Sequence, residues 1–252
     1  MFYVGIDIGS TASKVVVRGD LEEKFVVPTG WSSKETAEAI REHLLEENID
    51  VRADNVKVVA TGYGRIAVDY ADHIITEITC HGRGGKELAG DSCGIIDVGG
   101  QDTKCIILEQ GLVSDFIMND KCSAGTGKFL EVMANRLGIG LDELFLLAES
   151  GTVLPISSLC TVFAESEIIS YIGEGRKRED IAAGIVDSVA EKVAQLSRKK
   201  NLPANLILTG GLSENDFFAT LLSRKLKQEV KNQKLGKYAG ALGASYLAQE
   251  KR

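Results

Sequence analysis

Two glycine-containing turns carry an aspartate and a lysine at matching places, with an offset of 90 residues between the copies. The first copy reads Asp7-Ile-Gly9-Ser10-Thr11-Ala-Ser-Lys14, and the second reads Asp97-Val-Gly99-Gly100-Gln101-Asp102-Thr-Lys104. Glycine lets backbone N–H groups approach an anion closely, while hydroxyl and ammonium groups supply further donors. Either turn alone would fit an ordinary polar hairpin. Their repetition favours two turns that bind the phosphates of a nucleotide.

The acidic and amide side chains of these turns have the chemistry that phosphoryl transfer needs. Asp7 and Asp97 end apolar strands and suit a Mg²⁺ ion that is held mostly through water. Gln101 or Asp102 could orient a water for in-line attack on a γ-phosphate. We therefore predict Asp7, Gln101 and Asp102 as catalytic residues, with Asp7 and Asp97 sharing the water shell of Mg²⁺.

A third element, the glycine pair Gly210-Gly211, follows the apolar strand Leu206-Ile-Leu-Thr209 and precedes a capped helix start. Its backbone could lie against the purine or ribose of the nucleotide, and the helix N-terminus favours phosphate. The segment from Ala124 to Phe129 is not a P-loop, because Phe129 stands where Ser or Thr is required. The predicted nucleotide-binding residues are Gly9, Ser10, Thr11, Lys14, Asp97, Gly99, Gly100, Gln101, Gly125, Thr126, Gly210, Gly211 and Glu214.

The elements that must position these turns also repeat. Each copy predicts three strands joined by tight turns and followed by helices, with Ser32 and Glu35 at a capping-box spacing before the first helix. Further helices are predicted near 80–88, 124–137, 141–149, 161–172, 180–199, 214–227 and 238–249, and strands near 56–60 and 206–209. We expect an α/β fold of two lobes with mixed sheets flanked by helices, built from duplicated βββαβα units. The lobes would comprise residues 1–92 with the final helix 238–252, and residues 93–237.

Composition limits the function classes. The net charge is −7 and the pI is about 5.2, so the chain carries no electrostatic footprint for nucleic acid. No signal peptide and no apolar run long enough for a transmembrane helix are present in the sequence. We expect a cytoplasmic protein without membrane or nucleic-acid partners.

Two of the five cysteines precede predicted helices in settings rich in Ser, Thr and Gly. Cys122 and Cys160 therefore suit metal or cluster ligation, because a helix N-terminus stabilises a thiolate. Both could instead be small buried residues, which is our interpretation of Cys80, Cys93 and Cys105. An iron–sulfur cube usually needs four thiolates, so two per chain suggest a two-fold homodimer that shares one cluster.

In their order along the chain, the two turns and the Thr209-Gly-Gly segment resemble the phosphate and adenosine motifs of the actin, hexokinase and Hsp70 superfamily. That resemblance implies two actin-like, ribonuclease H-like lobes around ATP or ADP. A narrower resemblance rests on four segments. They are Thr61-Gly-Tyr-Gly-Arg65, Ile96-Asp-Val-Gly-Gly-Gln-Asp102, Asn119-Asp-Lys-Cys122-Ser-Ala-Gly-Thr-Gly127 and Ser157-Ser-Leu-Cys160-Thr-Val-Phe-Ala-Glu-Ser-Glu167.

These segments look like the activator ATPases of 2-hydroxyacyl-CoA dehydratases, a group that includes ATPase subunits of benzoyl-CoA reductases and reductases of double-cubane cluster proteins. The resemblance implies a homodimer that binds Mg-ATP in each chain and one bridging [4Fe–4S] cluster on Cys122 and Cys160. It implies an electron donor, ferredoxin or flavodoxin, and an electron acceptor, a partner iron–sulfur dehydratase or reductase. Segments 115–119 and 212–216 differ from the dehydratase activators, which leaves the partner open.

Two alternatives within the same superfamily lack a cluster. A small-molecule kinase would bind a sugar or acid in the cleft, although a chain of 252 residues leaves little room for such a site. An ATP-binding sensor or filament-forming actin relative would polymerise without electron transfer. Iron content separates both alternatives from the activator.

Overall fold

The computed structural model describes residues 1–156 and 160–251, which form two five-stranded mixed sheets of the same topology. The first sheet contains β1 (Phe2–Ile8), β2 (Ala12–Gly19), β3 (Glu23–Pro28), β4 (Val56–Thr61) and β5 (His73–Ile74) in the order β3-β2-β1-β4-β5. The second contains β6 (Cys93–Val98), β7 (Thr103–Glu109), β8 (Leu112–Asn119), β9 (Leu206–Gly210) and β10 (Val230–Lys231) in the order β8-β7-β6-β9-β10. The repeat in the sequence is thus a repeat of sheet topology.

Eight α-helices accompany the sheets in the described part of the chain. They are α1 (Ser33–Glu46), α2 (Glu77–Ala89), α3 (Gly127–Leu137), α4 (Leu141–Ser150), α5 (Thr161–Gly173), α6 (Arg178–Ser197), α7 (Asp216–Leu226) and α8 (Ala239–Glu250). None of the helices described by the structure is long and apolar enough to cross a membrane.

The central strands form because their side chains are buried on both faces. β1 and β6 are almost entirely buried and rich in β-branched residues, which favours strands covered by helices on each side. The register places Asp7 opposite Lys14 in the first sheet and Asp97 opposite Lys104 in the second. The two turns therefore begin from the same position of equivalent hairpins.

Helices α2 and α8 cross between the two sheets. α8 packs against β1, β2 and β4, while α2 packs against α8 and against β6, β7 and β8. Glycine permits this close crossing, because a Cβ added to Gly243 would lie 1.8 Å from the Cys80 carbonyl oxygen. The expected return of the last helix to the first sheet is what the structure contains. The division into residues 1–92 and 93–237 stays a prediction, and α2 covers the second sheet although it precedes residue 92.

Two helices begin later than the sequence pattern predicted, and local turns explain why. α3 begins at Gly127 rather than near residue 124, because Gly125 has a φ of +89° and Thr126 is the N-cap. α7 begins at Asp216 rather than near residue 214, because the Asn215 side chain accepts a 2.8 Å hydrogen bond from the Phe218 N–H. The predicted cap of α1 is correct, since the Ser32 hydroxyl accepts from the Glu35 N–H.

Candidate functional site

A cleft of about 390 Å³ lies where the strand ends of the two sheets meet. Both glycine turns and the Gly210-Gly211 pair line it. The structure thus brings together twelve predicted residues: Asp7, Gly9, Ser10, Thr11, Lys14, Asp97, Gly99, Gly100, Gln101, Asp102, Gly210 and Gly211. The turns touch each other, because a Cβ added to Gly100 would lie 2.3 Å from the Thr11 Oγ1 atom.

The first turn leaves its lysine available to a ligand. Lys14 Nζ lies close to Gly9, at 3.3 Å from where a Cβ on that glycine would be. Within residues 1–156 and 160–251, Lys14 forms no salt bridge. The Ser13 hydroxyl, next in the chain, bonds to the Thr29 hydroxyl at 2.7 Å and ties the turn to β3. A half-buried ammonium beside glycine backbone and two hydroxyls suits an anionic ligand.

The lysine of the second turn is in a different environment. Lys104 Nζ is surrounded by three carboxylates, at 2.8 Å from Asp102, 3.5 Å from Asp97 and 3.5 Å from Glu77. Burial alone would lower the pKa of Lys104, but these carboxylates raise it above its usual value. Burial raises the pKa of Glu77. Lys104 thus stabilises a cluster of acidic side chains and is not available to phosphate.

Asp97 is the most buried acid of the cleft and is held by groups from three elements. The Thr209 hydroxyl of β9 donates to Asp97 Oδ1 at 2.8 Å, and His81 Nδ1 of α2 lies 3.5 Å from the same oxygen. Burial by itself would raise the pKa of Asp97, but His81, Lys104 and Thr209 together lower it to about 2. Asp97 is therefore a preorganised carboxylate at the floor of the cleft.

Several cleft residues were not predicted from the sequence. Tyr63, Arg65, Glu77, His81 and Lys237 all line the cleft. Glu77 and His81 stand one helical turn apart on α2, a spacing that indicates a shared helix face, but only the fold directs that face toward the cleft.

Three predicted nucleotide-binding residues lie outside the cleft lining. Gly125 and Thr126 stand behind the second turn, where the buried Thr126 hydroxyl donates to the Ser123 carbonyl at 2.7 Å. Glu214 is exposed and forms a salt bridge of 3.5 Å with Lys237, which does line the cleft. Glu214 is therefore connected to the cleft through Lys237. Gly125 contacts the second turn from behind and does not line the cleft.

The second turn is bonded to the segment that carries Cys122. The Gly127 N–H donates to the Gly99 carbonyl at 2.9 Å, and the Lys128 N–H donates to the Gly100 carbonyl at 2.8 Å. The Thr103 hydroxyl donates to the Gly125 carbonyl at 2.6 Å. We call these three hydrogen bonds the turn clamp. A displacement of the second turn would therefore be carried to the start of α3.

Cys122 and Cys160 are exposed and lie on neighbouring segments. The residues that follow them, Ser123 and Thr161, bond to each other through their hydroxyls at 2.7 Å. Cys160 is the N-cap of α5, whereas Cys122 lies in the turn ahead of α3 and its carbonyl accepts from Asn119 at 2.8 Å. Residues 157–159 of the second cysteine segment lie outside the described residues. We call the surface that carries Cys122 and Cys160 the cysteine edge.

The other three cysteines are fully buried. Burial raises the pKa of Cys80 to about 12 and the pKa values of Cys93 and Cys105 to about 11. Protonated thiols in apolar surroundings are inert as ligands. Only the cysteine edge therefore offers accessible thiols among the residues that the structure describes.

The BadF/BadG/BcrA/BcrD ATPase family matches residues 4–248, which is nearly the whole chain. This chain belongs to that ATPase family. The resemblance given above is thereby confirmed. The (R)-2-hydroxyglutaryl-CoA dehydratase activating ATPase of Acidaminococcus fermentans is 40% identical over 257 residues, which cover 100% of this chain and 98% of the relative.

Solved structures support the membership of this chain in the ATPase family. The activator of the 2-hydroxyisocaproyl-CoA dehydratase from Clostridium difficile with bound ADPNP superimposes with a TM-score of 0.91 at 36% identity, covering 100% of this chain and 95% of that structure. A ROK family glucokinase from Streptomyces griseus, with a TM-score of 0.62 at 16% identity over 99% of this chain and 100% of that one, shows the fold alone. The expected fold class, two actin-like lobes with mixed sheets, is confirmed.

The cysteine edge fits the cluster that the family resemblance implies, on the chemistry of its donors. Both thiols are accessible and the Ser123–Thr161 hydrogen bond joins their segments, but only Cys160 stands at a helix N-terminus, because α3 begins at Gly127 and not near residue 124 as predicted. Within the described residues, no group of three or more His, Cys, Asp or Glu side chains could hold a metal ion. A single chain thus supplies only part of a four-thiolate site, and a second copy could supply the rest.

Proposed function

We propose that this protein is an ATP-dependent activator that passes single electrons at low potential to a partner iron–sulfur enzyme. The observation that carries this proposal is the turn clamp, because it joins the second glycine turn of the cleft to the segment of Cys122. A nucleotide contact and a thiol are thereby coupled through short hydrogen bonds. Relatives of about 40% identity that are named as activators of 2-hydroxyacyl-CoA dehydratases support the same assignment.

In the cleft, each turn would have its own role. Gly9, Ser10, Thr11 and Lys14 would hold the β- and γ-phosphates of ATP, and Asp7 and Asp97 would hold Mg²⁺ through water. Gln101 is exposed in the cleft, while Asp102 is engaged by Lys104 at 2.8 Å. Gln101 is therefore the better placed of the two to orient the attacking water.

At the cysteine edge, Cys122 and Cys160 of two chains would together ligate one [4Fe–4S] cluster in a homodimer. Such a cluster supplies one-electron chemistry when bound, and its potential responds to hydrogen bonds and exposure. The chain's own contribution is to change both of these through α3 and α5. ATP and ADP would select different positions of the second turn, and the turn clamp would carry the difference to Cys122.

We further propose the partners that this activity needs. The acceptor would be a 2-hydroxyacyl-CoA dehydratase or a related reductase component, in keeping with the names of the relatives. The donor would be a ferredoxin or flavodoxin, and the site of action would be the cytoplasm. Purification without oxygen, followed by iron analysis and a visible spectrum, tests the cluster.

About four irons per dimer are expected, since a cube takes four thiolates. Cys122→Ser or Cys160→Ser should remove the iron, whereas the buried control Cys93→Ala should retain it. A colourless protein after anaerobic reconstitution would contradict the proposal. Phosphorylation of a small molecule by iron-free protein would favour the kinase alternative, and nucleotide-dependent polymerisation would favour the sensor.

A further inference from the structure

A second concavity opens beside Cys122, between β8 and α6. It has a volume of about 510 Å³. Lys121, Lys192 and Lys199 line it together with Cys122 itself. We call it the lysine pocket. Anything bound there would touch the cysteine edge.

The lysine pocket is locally positive in an acidic chain. Within residues 1–156 and 160–251, none of its three lysines forms a salt bridge, and Asp120 is the one acidic residue in the lining. Basic residues nearby are neutralised, as in the 2.7 Å salt bridge between Lys200 and Asp115. The whole chain carries a net charge of −7. An acidic partner would be repelled by most of the surface and attracted here.

Apolar residues and the neutral polar residues Thr103, Asn119 and Gln195 complete the lining of the pocket. Met118 and Ile117 of β8 face the pocket from one side, and Val193 and Leu196 of α6 face it from the other. A pocket lined by both apolar residues and lysines fits a short acidic segment that carries an apolar side chain.

We propose that the lysine pocket docks an acidic segment of a small electron-donor protein and so brings the donor's redox centre beside Cys122. This inference rests on the proposed function, because it presumes a cluster at the cysteine edge. On each encounter, one electron would leave the reduced donor and enter the cluster, and no bond or proton need be exchanged. The donor would be oxidised by one electron and would then dissociate.

The character of the pocket favours a donor over the other candidates. A donor must bind and leave in every cycle, and such redox encounters use small, charged contacts. A nucleic acid would require a longer basic stripe to track its phosphates. The proposed homodimer already brings a second copy, with the same net charge of −7, to Cys122, so the inference requires that the dimer leave Lys192 and Lys199 open to the donor. The test separates these occupants.

The experiment measures binding of flavodoxin, a small acidic flavin protein, to the anaerobically purified dimer by isothermal titration calorimetry at low salt. The pocket variant is Lys192→Glu with Lys199→Glu, which leaves Lys121 intact next to Cys122. The matched control is Lys24→Glu with Lys34→Glu, two exposed lysines of the first half of the chain, with the same change in net charge. Iron content and oligomeric mass are measured for all three proteins.

The pocket variant should bind flavodoxin at least about tenfold more weakly than the wild type, because charge reversal replaces attraction with repulsion. The control variant should bind within about twofold of the wild type, since distant charges are screened. Adding salt should weaken binding to the wild type more than binding to the pocket variant. Iron per dimer should be equal in all three proteins.

Several outcomes would overturn the inference. They are equal affinities of the pocket and control variants, no binding of flavodoxin to the wild type, dissociation of the dimer in the pocket variant alone, and pocket-dependent binding of an RNA oligonucleotide in place of flavodoxin. An absence of iron in the wild type would count against the proposed function instead. Because docking is measured as binding, the two failures are distinguishable.

Discussion

The two glycine turns have the same backbone register and opposite electrostatic roles. Asp7 pairs with Lys14 and Asp97 pairs with Lys104 across equivalent hairpins. Lys14 is half-buried beside Gly9, whereas Lys104 is buried among three carboxylates. Ser13 bonds within its own sheet, while the corresponding Thr103 bonds to the cysteine-bearing segment. Of the two copies of the turn, the first is thus suited to bind a ligand. The second is suited to transmit the state of that ligand.

The difference shows why a repeated motif need not repeat its function. A lysine beside glycine backbone can bind phosphate when, like Lys14 within the described residues, it forms no salt bridge. Lys104, which Asp97, Asp102 and Glu77 surround, stabilises this part of the fold. The second turn can then form contacts with the segment that precedes α3. The contacts it takes are the hydrogen bonds of the turn clamp.

The largest expected effect is the loss of stability in Lys104→Met. Removing this buried cation leaves Asp102 and Glu77 without their cation and Asp97 with only Thr209 and His81, which costs about 3–5 kcal/mol of the free energy of unfolding. The matched variant Lys14→Met should cost less than about 0.5 kcal/mol, since the side chain is half-buried and unpaired. Urea denaturation of both variants measures the contrast. Equal destabilisation would remove the distinction between the two turns.

The second effect is a dependence of stability on acid that arises from Asp97. The pKa of Asp97 in the folded protein is about 2, below the ordinary aspartate value, so deprotonation stabilises the fold. This stabilisation, on the order of 2 kcal/mol, is complete above about pH 4 and lost as the pH falls toward 2. Unfolding free energies between pH 2 and 5 should therefore rise less steeply with pH in Asp97→Asn than in the wild type. Parallel slopes would show that Asp97 is not the group responsible.

The third effect is on nucleotide binding, for which we expect Lys14 and not Lys104 to be the important lysine. Lys14→Met should weaken binding of the ATP analogue ADPNP by about tenfold, because a charged hydrogen bond to phosphate is lost. Glutamine at the same position should not restore binding, because it keeps a donor without the positive charge. Calorimetric titration at equal ionic strength measures both variants. An unchanged affinity in Lys14→Met would assign the phosphates to other donors.

These contrasts were only partly predictable from the sequence. The repeat, its three-strand units and the positions of Asp7 and Asp97 follow from strand patterns and turn chemistry, because both are local. The sequence alignment treats Lys14 and Lys104 as equivalent, and only the packing of α2 brings Glu77 and His81 to the second turn. The turn clamp was equally hidden, since two of its hydrogen bonds join backbone groups and the third is donated by the Thr103 hydroxyl to a carbonyl 22 residues away in the chain.

The smallest expected effect concerns the turn clamp. Thr103→Val removes the hydroxyl that donates to the Gly125 carbonyl and should cost about 1 kcal/mol. Hydrogen exchange of the amides in segment 122–128 should become faster, while exchange in β1 stays unchanged. Ser13→Ala, the corresponding change in the first turn, should leave the exchange of 122–128 unaltered. Faster exchange of that segment in both variants would indicate a general loosening rather than a local clamp.

The most direct test of the account is whether the nucleotide changes the exposure of the cysteine edge. Iron release to a chelator is followed in the anaerobic dimer with ADP and with ADPNP, in the wild type and in Thr103→Val. The account predicts release rates that differ between the two nucleotides in the wild type and converge in Thr103→Val. Identical rates with ADP and ADPNP in an iron-loaded wild-type dimer would contradict the claim that the second turn communicates with Cys122.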